Sequence, residues 1–189
     1  MVRTRTPGTR ERILSVAAKL FATHRFHEAR MDDIAQEADV GKGTLYRYFQ
    51  DKEALYHTLL DRAADELARR LDEADRSSTD PRVRIEAIVE MFLVLFDEQP
   101  HLFDLIQHAE VMHRPGRNFP WQRAREIAWR AVETLLAEGH RAGVWVCADP
   151  PLGTLMLLGG IRAVIRFGSP PRPSGLASRL TQMFLYGLR

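Results

Sequence analysis

Side chains that suit phosphates and bases recur on one face of a short segment, residues 31–50, which reads MDDIAQEADVGKGTLYRYFQ. An α-helix turns about 100° per residue, so Gly43, Tyr46, Arg47 and Gln50 share one outward face. Aromatic, amide and arginine groups together on an exposed face fit phosphate oxygens and base edges. The alternative is the solvated face of an ordinary helical bundle, and spacing alone does not separate the two.

The same segment has the layout of a helix-turn-helix. Two short helices are joined by a turn with glycine, Val40-Gly41-Lys42-Gly43, and an amphipathic helix precedes them. The predicted inward face is apolar and comprises Ile34, Ala35, Val40, Leu45 and Phe49.

One other cluster could do chemistry. His101, Asp104 and His108 share a helix edge, and two histidines with a carboxylate can hold a metal ion. That edge borders an apolar stripe, and the sequence shows no fourth ligand, phosphate loop or nucleophile elbow. The lone Cys147 has no neighbouring histidine or asparagine. We therefore expect no enzyme, cofactor or metal site; a helical metal-dependent enzyme stays as an alternative.

Composition indicates a globular protein that binds through a local surface. The 189 residues are 45% hydrophobic and 28% charged, which is enough to bury a core. The net charge is only +2, so any nucleic-acid binding depends on local arrangement. A single cysteine suits a reducing compartment, no apolar run is long enough to span a membrane, and the N-terminus lacks a signal-peptide core. We expect a cytoplasmic protein.

Apolar residues recur at helical spacing almost throughout, and this predicts an all-α fold of about nine helices. The clearest break lies at residues 77–81 (SSTDP). We expect Thr9 and Asn118 to cap helices, and Asp149-Pro150-Pro151 to open another. The predicted ranges are 9–24, a short helix from 31, a short helix around 45–49, 52–71, 85–96, 101–113, 118–139, 150–165 and 176–188.

The first 57 residues resemble the DNA-binding region of TetR-type transcriptional regulators. The resemblance rests on residues 9–26 (TRERILSVAAKLFATHRF) and 33–56 (DIAQEADVGKGTLYRYFQDKEALY). It implies an N-terminal three-helix helix-turn-helix domain over 1–57, with the motif at about 30–49. Residues 58–189 match only in layout, which implies a larger helical domain for effector binding and dimerisation.

By position, the resemblance also implies a set of DNA contacts. Thr44 and Tyr46 would contact phosphates or base edges, and Lys42 and Lys52 would bind phosphates on either side. Gly43 would let the backbone approach the DNA. Arg47 stands at a variable position and is a candidate base contact, since arginine pairs well with guanine.

The sequence departs from the usual family pattern in four ways. Ala29-Arg30 replaces a Thr/Ser capping pair; Arg30 either reaches a phosphate or is merely solvated. Arg25 and Asp39 replace glycines, and Asp tolerates the left-handed conformation better than most residues. Gly41 replaces a capping serine. Upstream, Arg3 and Arg5 either enter a minor groove or belong to a disordered tail.

Two surfaces of the larger domain are predicted. Aromatic residues between 81 and 145 either pack a core or line an apolar effector cavity, and the candidates are Phe96, Phe103, His113, Trp121 and Trp129. The last two helices offer more apolar surface than a monomer needs. The candidate dimer contacts are Leu158, Gly159, Gly160, Ile161, Met183 and Phe184.

Together these features predict a homodimeric DNA-binding regulator of bacterial type. We expect it to act as a repressor that a small apolar effector releases from a near-palindromic operator in double-stranded DNA. The alternative regulator senses no small molecule. The sequence leaves the effector, operator, regulated genes and direction of control open.

Overall fold

The computed structural model describes residues 7–23, 28–111 and 120–187, with the backbone alone at residues 7, 23, 108–111, 120 and 121. Over these ranges the chain forms nine α-helices and no strand. The all-α prediction is confirmed. The helices are α1 Pro7–Thr23, α2 Met31–Glu37, α3 Lys42–Tyr48, α4 Lys52–Asp75, α5 Pro81–Glu98, α6 Pro100–Val111, α7 Pro120–Arg141, α8 Pro150–Phe167 and α9 Leu176–Tyr186.

Local capping chemistry explains where several helices begin. The Asp149 carboxylate accepts a hydrogen bond from the backbone N–H of Leu152 (3.0 Å), so Asp149 caps α8 at the predicted opening of this helix. The prediction for Thr9 is wrong, because α1 already begins at Pro7, and proline suits a first helical turn. The proposed cap Asn118 lies outside the described residues, as do Arg3, Arg5 and Arg25.

The helices pack as two units. The first holds α1, α2, α3, α4 as far as Ala64, and α6. The division falls inside α4 rather than after residue 57. Helix α6 joins the first unit because it packs against α1 and its Leu105 lies in the same core. The Tyr56 hydroxyl of α4 donates a buried hydrogen bond of 2.8 Å to the Leu105 carbonyl.

The second unit holds the rest of α4, α5, α7 from Gln122, α8 and α9. Its helix α5 packs against α8 and α9. Half-buried arginines join its elements: Arg84 bridges Asp75 of α4 (2.7 Å) and Glu138 of α7 (2.9 Å). Arg172 donates to both carboxylate oxygens of Asp97 at 2.8 Å and thereby fixes the loop before α9.

In the part of the chain that the structure describes, no helix combines the length and apolar character needed to cross a bilayer.

Candidate nucleic-acid interface

Helix α3 presents the outward face that its spacing predicts. Tyr46 is 49% exposed, and Gly43, Arg47 and Gln50 are exposed as well. A Cβ atom placed on Gly43 would have no neighbour within 4 Å, so the backbone at this position is open to an approaching surface. Thr44 is half-buried at the side of this face.

The opposite side of α3 anchors it to the first unit. Leu45 is fully buried and Phe49 is 3% exposed, within the core cluster that also holds Ile34 and Ala35. Their predicted place in the core is confirmed. The Arg10 guanidinium of α1 lies 5.4 Å from the centre of the Phe49 ring, so a cation–π contact adds to this anchor.

The turn between α2 and α3 has the conformations that its residue types favour. Asp39 adopts a left-handed conformation with φ of 49°, as expected for a residue in a habitual glycine position. Gly41 is the N-cap of α3, with extended backbone and no side-chain cap. Its carbonyl accepts from the N–H groups of Thr44 (2.8 Å) and Leu45 (3.0 Å).

Arg12 of α1 fixes this turn, a role that the sequence analysis missed. Its Nε donates to the Ala38 carbonyl at 2.6 Å and its Nη2 to the Asp39 carbonyl at 3.2 Å. A cation at the C-terminal end of α2 also complements the helix dipole. No local sequence signal identifies Arg12, because its acceptors lie 26 and 27 residues further along the chain.

Both predicted phosphate-binding lysines already contact the protein. Lys42 Nζ lies 2.7 Å from Asp32 Oδ2 of α2, and both side chains are more than half exposed. Lys52 Nζ donates to the Ala29 carbonyl at 3.1 Å. An ammonium group has three donors, so neither contact is incompatible with binding a phosphate. These contacts fix where the two positive charges stand.

Arg30 is exposed at the N-cap of α2, and its side chain makes no capping hydrogen bond. The loss of a side-chain cap is therefore confirmed. Asp32 and Asp33 in the first turn compensate in part, because negative charge at a helix N-terminus is favourable.

A bidentate ion pair joins α1 to α4 in the first unit. Arg62 Nη2 lies 2.7 Å from Glu11 Oε1, and Arg62 Nη1 contacts the other oxygen. The hydrogen bonds from Arg62 lower the pKa of the Glu11 carboxyl below its usual value. The pair therefore stabilises the fold above the ordinary pKa of glutamate and loses this effect as the carboxyl is protonated on acidification.

The candidate effector residues fall at several places in the chain. Phe96 is buried in α5, and Phe103 is half-buried in α6. Trp129 is half-buried in α7, where its Nε1 donates to Glu133 at 2.7 Å. His113 and the side chain of Trp121 lie outside what the structure describes.

Helix α8 has two apolar faces, and only one faces the core of the second unit. Gly159 and Gly160 are exposed, and Leu158 is half-buried. Ile161 is only 3% exposed, so its assignment to an outward contact surface is corrected: it packs inside the protomer. The large exposed apolar residues of α8 are Leu152, Leu155, Met156 and Phe167. On α9, Met183 is 52% exposed and Phe184 is half-buried.

The described histidine, cysteine, aspartate and glutamate side chains include no group of three placed to hold a metal ion. The side chain of His108, part of the alternative metal cluster, is not among them.

Comparison with known proteins finds a family match over the helix-turn-helix region. Residues 13–59 match the family model described as bacterial regulatory proteins, tetR family. The transcriptional activator FasR of Mycolicibacterium smegmatis is 33% identical over 138 residues, which make up 70% of this chain and 63% of FasR. The chain thus aligns with less than two-thirds of this relative.

Solved structures share the fold over nearly the whole chain. The TetR-family regulator PfmR of Thermus thermophilus superposes with a TM-score of 0.86 at 24% identity, covering 99% of both chains. AibR, solved in complex with isovaleryl coenzyme A and operator DNA, gives a TM-score of 0.81 at 18% identity, covering 96% of this chain and 100% of AibR.

The helix-turn-helix surface and these matches are those of DNA-binding transcriptional regulators. Residues 13–59 belong to the tetR family of bacterial regulatory proteins, and the described chain shares the fold of a TetR-family regulator.

Replacing Arg12 with Met should loosen the turn that leads into α3. The loss of two donors from an exposed guanidinium should lower the free energy of unfolding by about 1 kcal/mol. Amide hydrogen exchange should speed up over residues 38–41. Arg12→Lys keeps the charge but lacks the fork of donors, so exchange should be intermediate. Unchanged exchange in the Met variant would show that Arg12 does not hold the turn.

Proposed function

We propose that the protein is a homodimeric repressor that binds a near-palindromic operator in double-stranded DNA and leaves it on binding a small apolar effector. The carrying observation is the exposed face of α3, which is anchored below by Leu45 and flanked by Lys42 and Lys52. Regulation of bacterial genes requires access to the chromosome, so we place the protein in the cytoplasm.

Each residue of the proposed DNA surface has a role that follows from its position. Thr44 and Tyr46 contact phosphates or base edges, and Gly43 allows close approach of the backbone. Arg47 is exposed, with its guanidinium 5.8 Å from the Tyr48 ring centre, and reads a guanine edge. The phosphate-binding cations at the edges are Lys42, Lys52 and Arg30.

Combined Tyr46→Ala and Lys52→Ala substitutions should weaken binding to every DNA sequence, because phosphate contacts are independent of sequence. The slope of log affinity against log salt should fall by about 0.9, since Lys52 supplies the one lost cationic contact to a phosphate. Fluorescence anisotropy over a salt series, with an operator selected from random duplexes, measures both effects. Arg76→Ala, which removes an exposed charge just after the end of α4, is the matched control.

Arg47→Ala should instead relax the preference at one or two base positions, by about 1–3 kcal/mol for a bidentate contact. Undiminished operator binding by the Tyr46/Lys52 double variant would exclude this surface as the DNA contact.

The exposed face of α8 supports the proposed homodimer. Leu152, Leu155, Met156, Gly159, Ala163 and Phe167 fall on one side of the helix when it is turned by 100° per residue, and all are exposed in the single chain. A contiguous exposed apolar face such as this one marks an interaction surface. A twofold pair suits a helix-turn-helix protein, since its two recognition helices then meet two equivalent half-sites.

The protein should elute as a dimer of about 43 kDa, twice the mass of the 21.6 kDa chain. Met156→Asp and Gly160→Trp should each dissociate it, by burying a charge or by separating the helices. Val83→Asp places the same charge on an exposed apolar position of α5 and should leave the dimer intact. Sedimentation at micromolar concentration distinguishes the species. A wild-type monomer that binds one half-site tightly would contradict the scheme.

The proposed effector site involves Phe96, Phe103, His113, Trp121 and Trp129. Large apolar side chains with a few polar groups are typical of small-molecule sites. Helix α4 begins at the proposed phosphate contact Lys52 and continues to Asp75, so its movement would displace the DNA surface. The isovaleryl coenzyme A in the AibR complex suggests acyl thioesters as first probes.

Effector and operator should each weaken the binding of the other by the same factor, typically about 5–150-fold. Calorimetry with isovaleryl coenzyme A, with and without operator, tests this, and free coenzyme A is the control for the acyl group. Equal affinities would show that the compound is not the inducer. Failure of a broad screen of apolar compounds would favour the regulator without an effector.

We propose a repressor, whereas the relative FasR is described as an activator. The direction of control therefore needs its own test. A reporter gene behind the selected operator decides it: expression should rise when the regulator is deleted, and a fall would identify an activator.

A further inference from the structure

An acidic side chain lies within the surface proposed to meet DNA. Asp32, in the first turn of α2, contacts Lys42, the first residue of α3, through a 2.7 Å bond from Nζ to Oδ2. The two side chains are 52% and 67% exposed, so the pair is open to an approaching duplex.

Lys42 is the first residue of α3, where a positive charge is unfavourable, and the Asp32 carboxylate offsets this effect. The N-terminus of a helix carries partial positive charge and disfavours a cation. Helix α3 has no side-chain cap and no acidic residue in its first turn. The Asp32 carboxylate, supplied by the neighbouring helix, offsets both the lysine and the helix end.

The same contact weakens Lys42 as a phosphate ligand. A phosphate must share or displace the carboxylate, and the carboxylate left beside it repels the DNA backbone. Non-operator binding depends almost entirely on phosphate contacts, whereas operator binding also uses base edges. In the operator complex the base contacts fix the register of α3, whereas a non-operator complex takes the register that gives the most phosphate contacts. Restraining Lys42 therefore weakens the non-operator complex more than the operator complex.

We propose that Asp32 is a positioning residue that restrains Lys42 and thereby lowers affinity for non-operator DNA, which sharpens the discrimination of the operator. The inference rests on the proposed role of α3 and Lys42 in binding DNA.

The chain offers a matched control for this residue. Asp33 lies in the same turn of α2 and is also exposed. Asp33→Asn removes the same charge and the same interaction with the helix dipole, but it leaves the contact between Asp32 and Lys42 in place. Comparing the two variants separates a specific effect on Lys42 from a general change in net charge or helix stability.

The experiment measures the affinity of the full-length protein for the selected operator and for a scrambled duplex over a series of salt concentrations. Asp32→Asn should bind the scrambled duplex about three- to tenfold more tightly than the wild type, as expected for an exposed charge pair. The slope of log affinity against log salt should steepen by about 0.9, one additional phosphate contact. Operator affinity should rise less, so the ratio of the two affinities should fall. Asp33→Asn should change the ratio little.

Two further variants test whether Asp32 acts through Lys42. In a Lys42→Met background, Asp32→Asn should no longer steepen the salt slope, because no restrained cation remains. Asp32→Glu, which keeps the carboxylate, should restore most of the wild-type discrimination.

The proposal is overturned if Asp32→Asn leaves the ratio unchanged, weakens binding to the scrambled duplex, or behaves like Asp33→Asn. It is also overturned if its effect persists in the Lys42→Met background. Failure of the underlying DNA surface has a different signature, since the wild type would then bind neither duplex, or would bind both unchanged after the Tyr46/Lys52 double substitution.

Discussion

The proposed DNA surface depends on the burial of two side chains beneath a helix too short to exist alone. Helix α3 has seven residues, and isolated helices of this length are unstable in water. Leu45 and Phe49 tie it to a core built from α1, α2, α4 and α6. The remaining positions of α3 can therefore carry groups suited to binding, because they contribute little to the fold. A substitution that alters the packing around Leu45 should therefore move every group on the exposed face of α3.

The elements of this site that are local in the chain could be predicted from sequence. The periodicity of apolar residues predicts Leu45 in the core and Tyr46 outside, and both are confirmed. The left-handed Asp39 and the cap at Gly41 follow from the resemblance to the TetR family pattern. The contacts of Arg12 with the turn could not be predicted, because they join residues far apart in the chain and an arginine on a helix surface has many possible partners.

The larger unit shows a second limit of sequence reasoning. The number and order of helices follow from apolar periodicity, since each helix has one face to bury. Helix α8 is apolar on two sides, however, and periodicity cannot tell which side faces the core. Ile161 was therefore assigned outward although it is buried, while the exposed Met156 was missed. The packing of α6 with the first unit depends on long-range contacts that no local pattern records.

We propose that DNA binds to α2, α3 and the start of α4, and that a second subunit packs against the apolar face of α8. Amide hydrogen exchange of the full-length protein, measured by mass spectrometry with and without selected operator duplex, tests this most directly. We expect the operator to slow amide exchange in peptides that cover residues 28–56 and to leave exchange in peptides that cover α8 and α9 unchanged. Slowed exchange in α8 and α9 without protection of residues 28–56 would contradict this proposal.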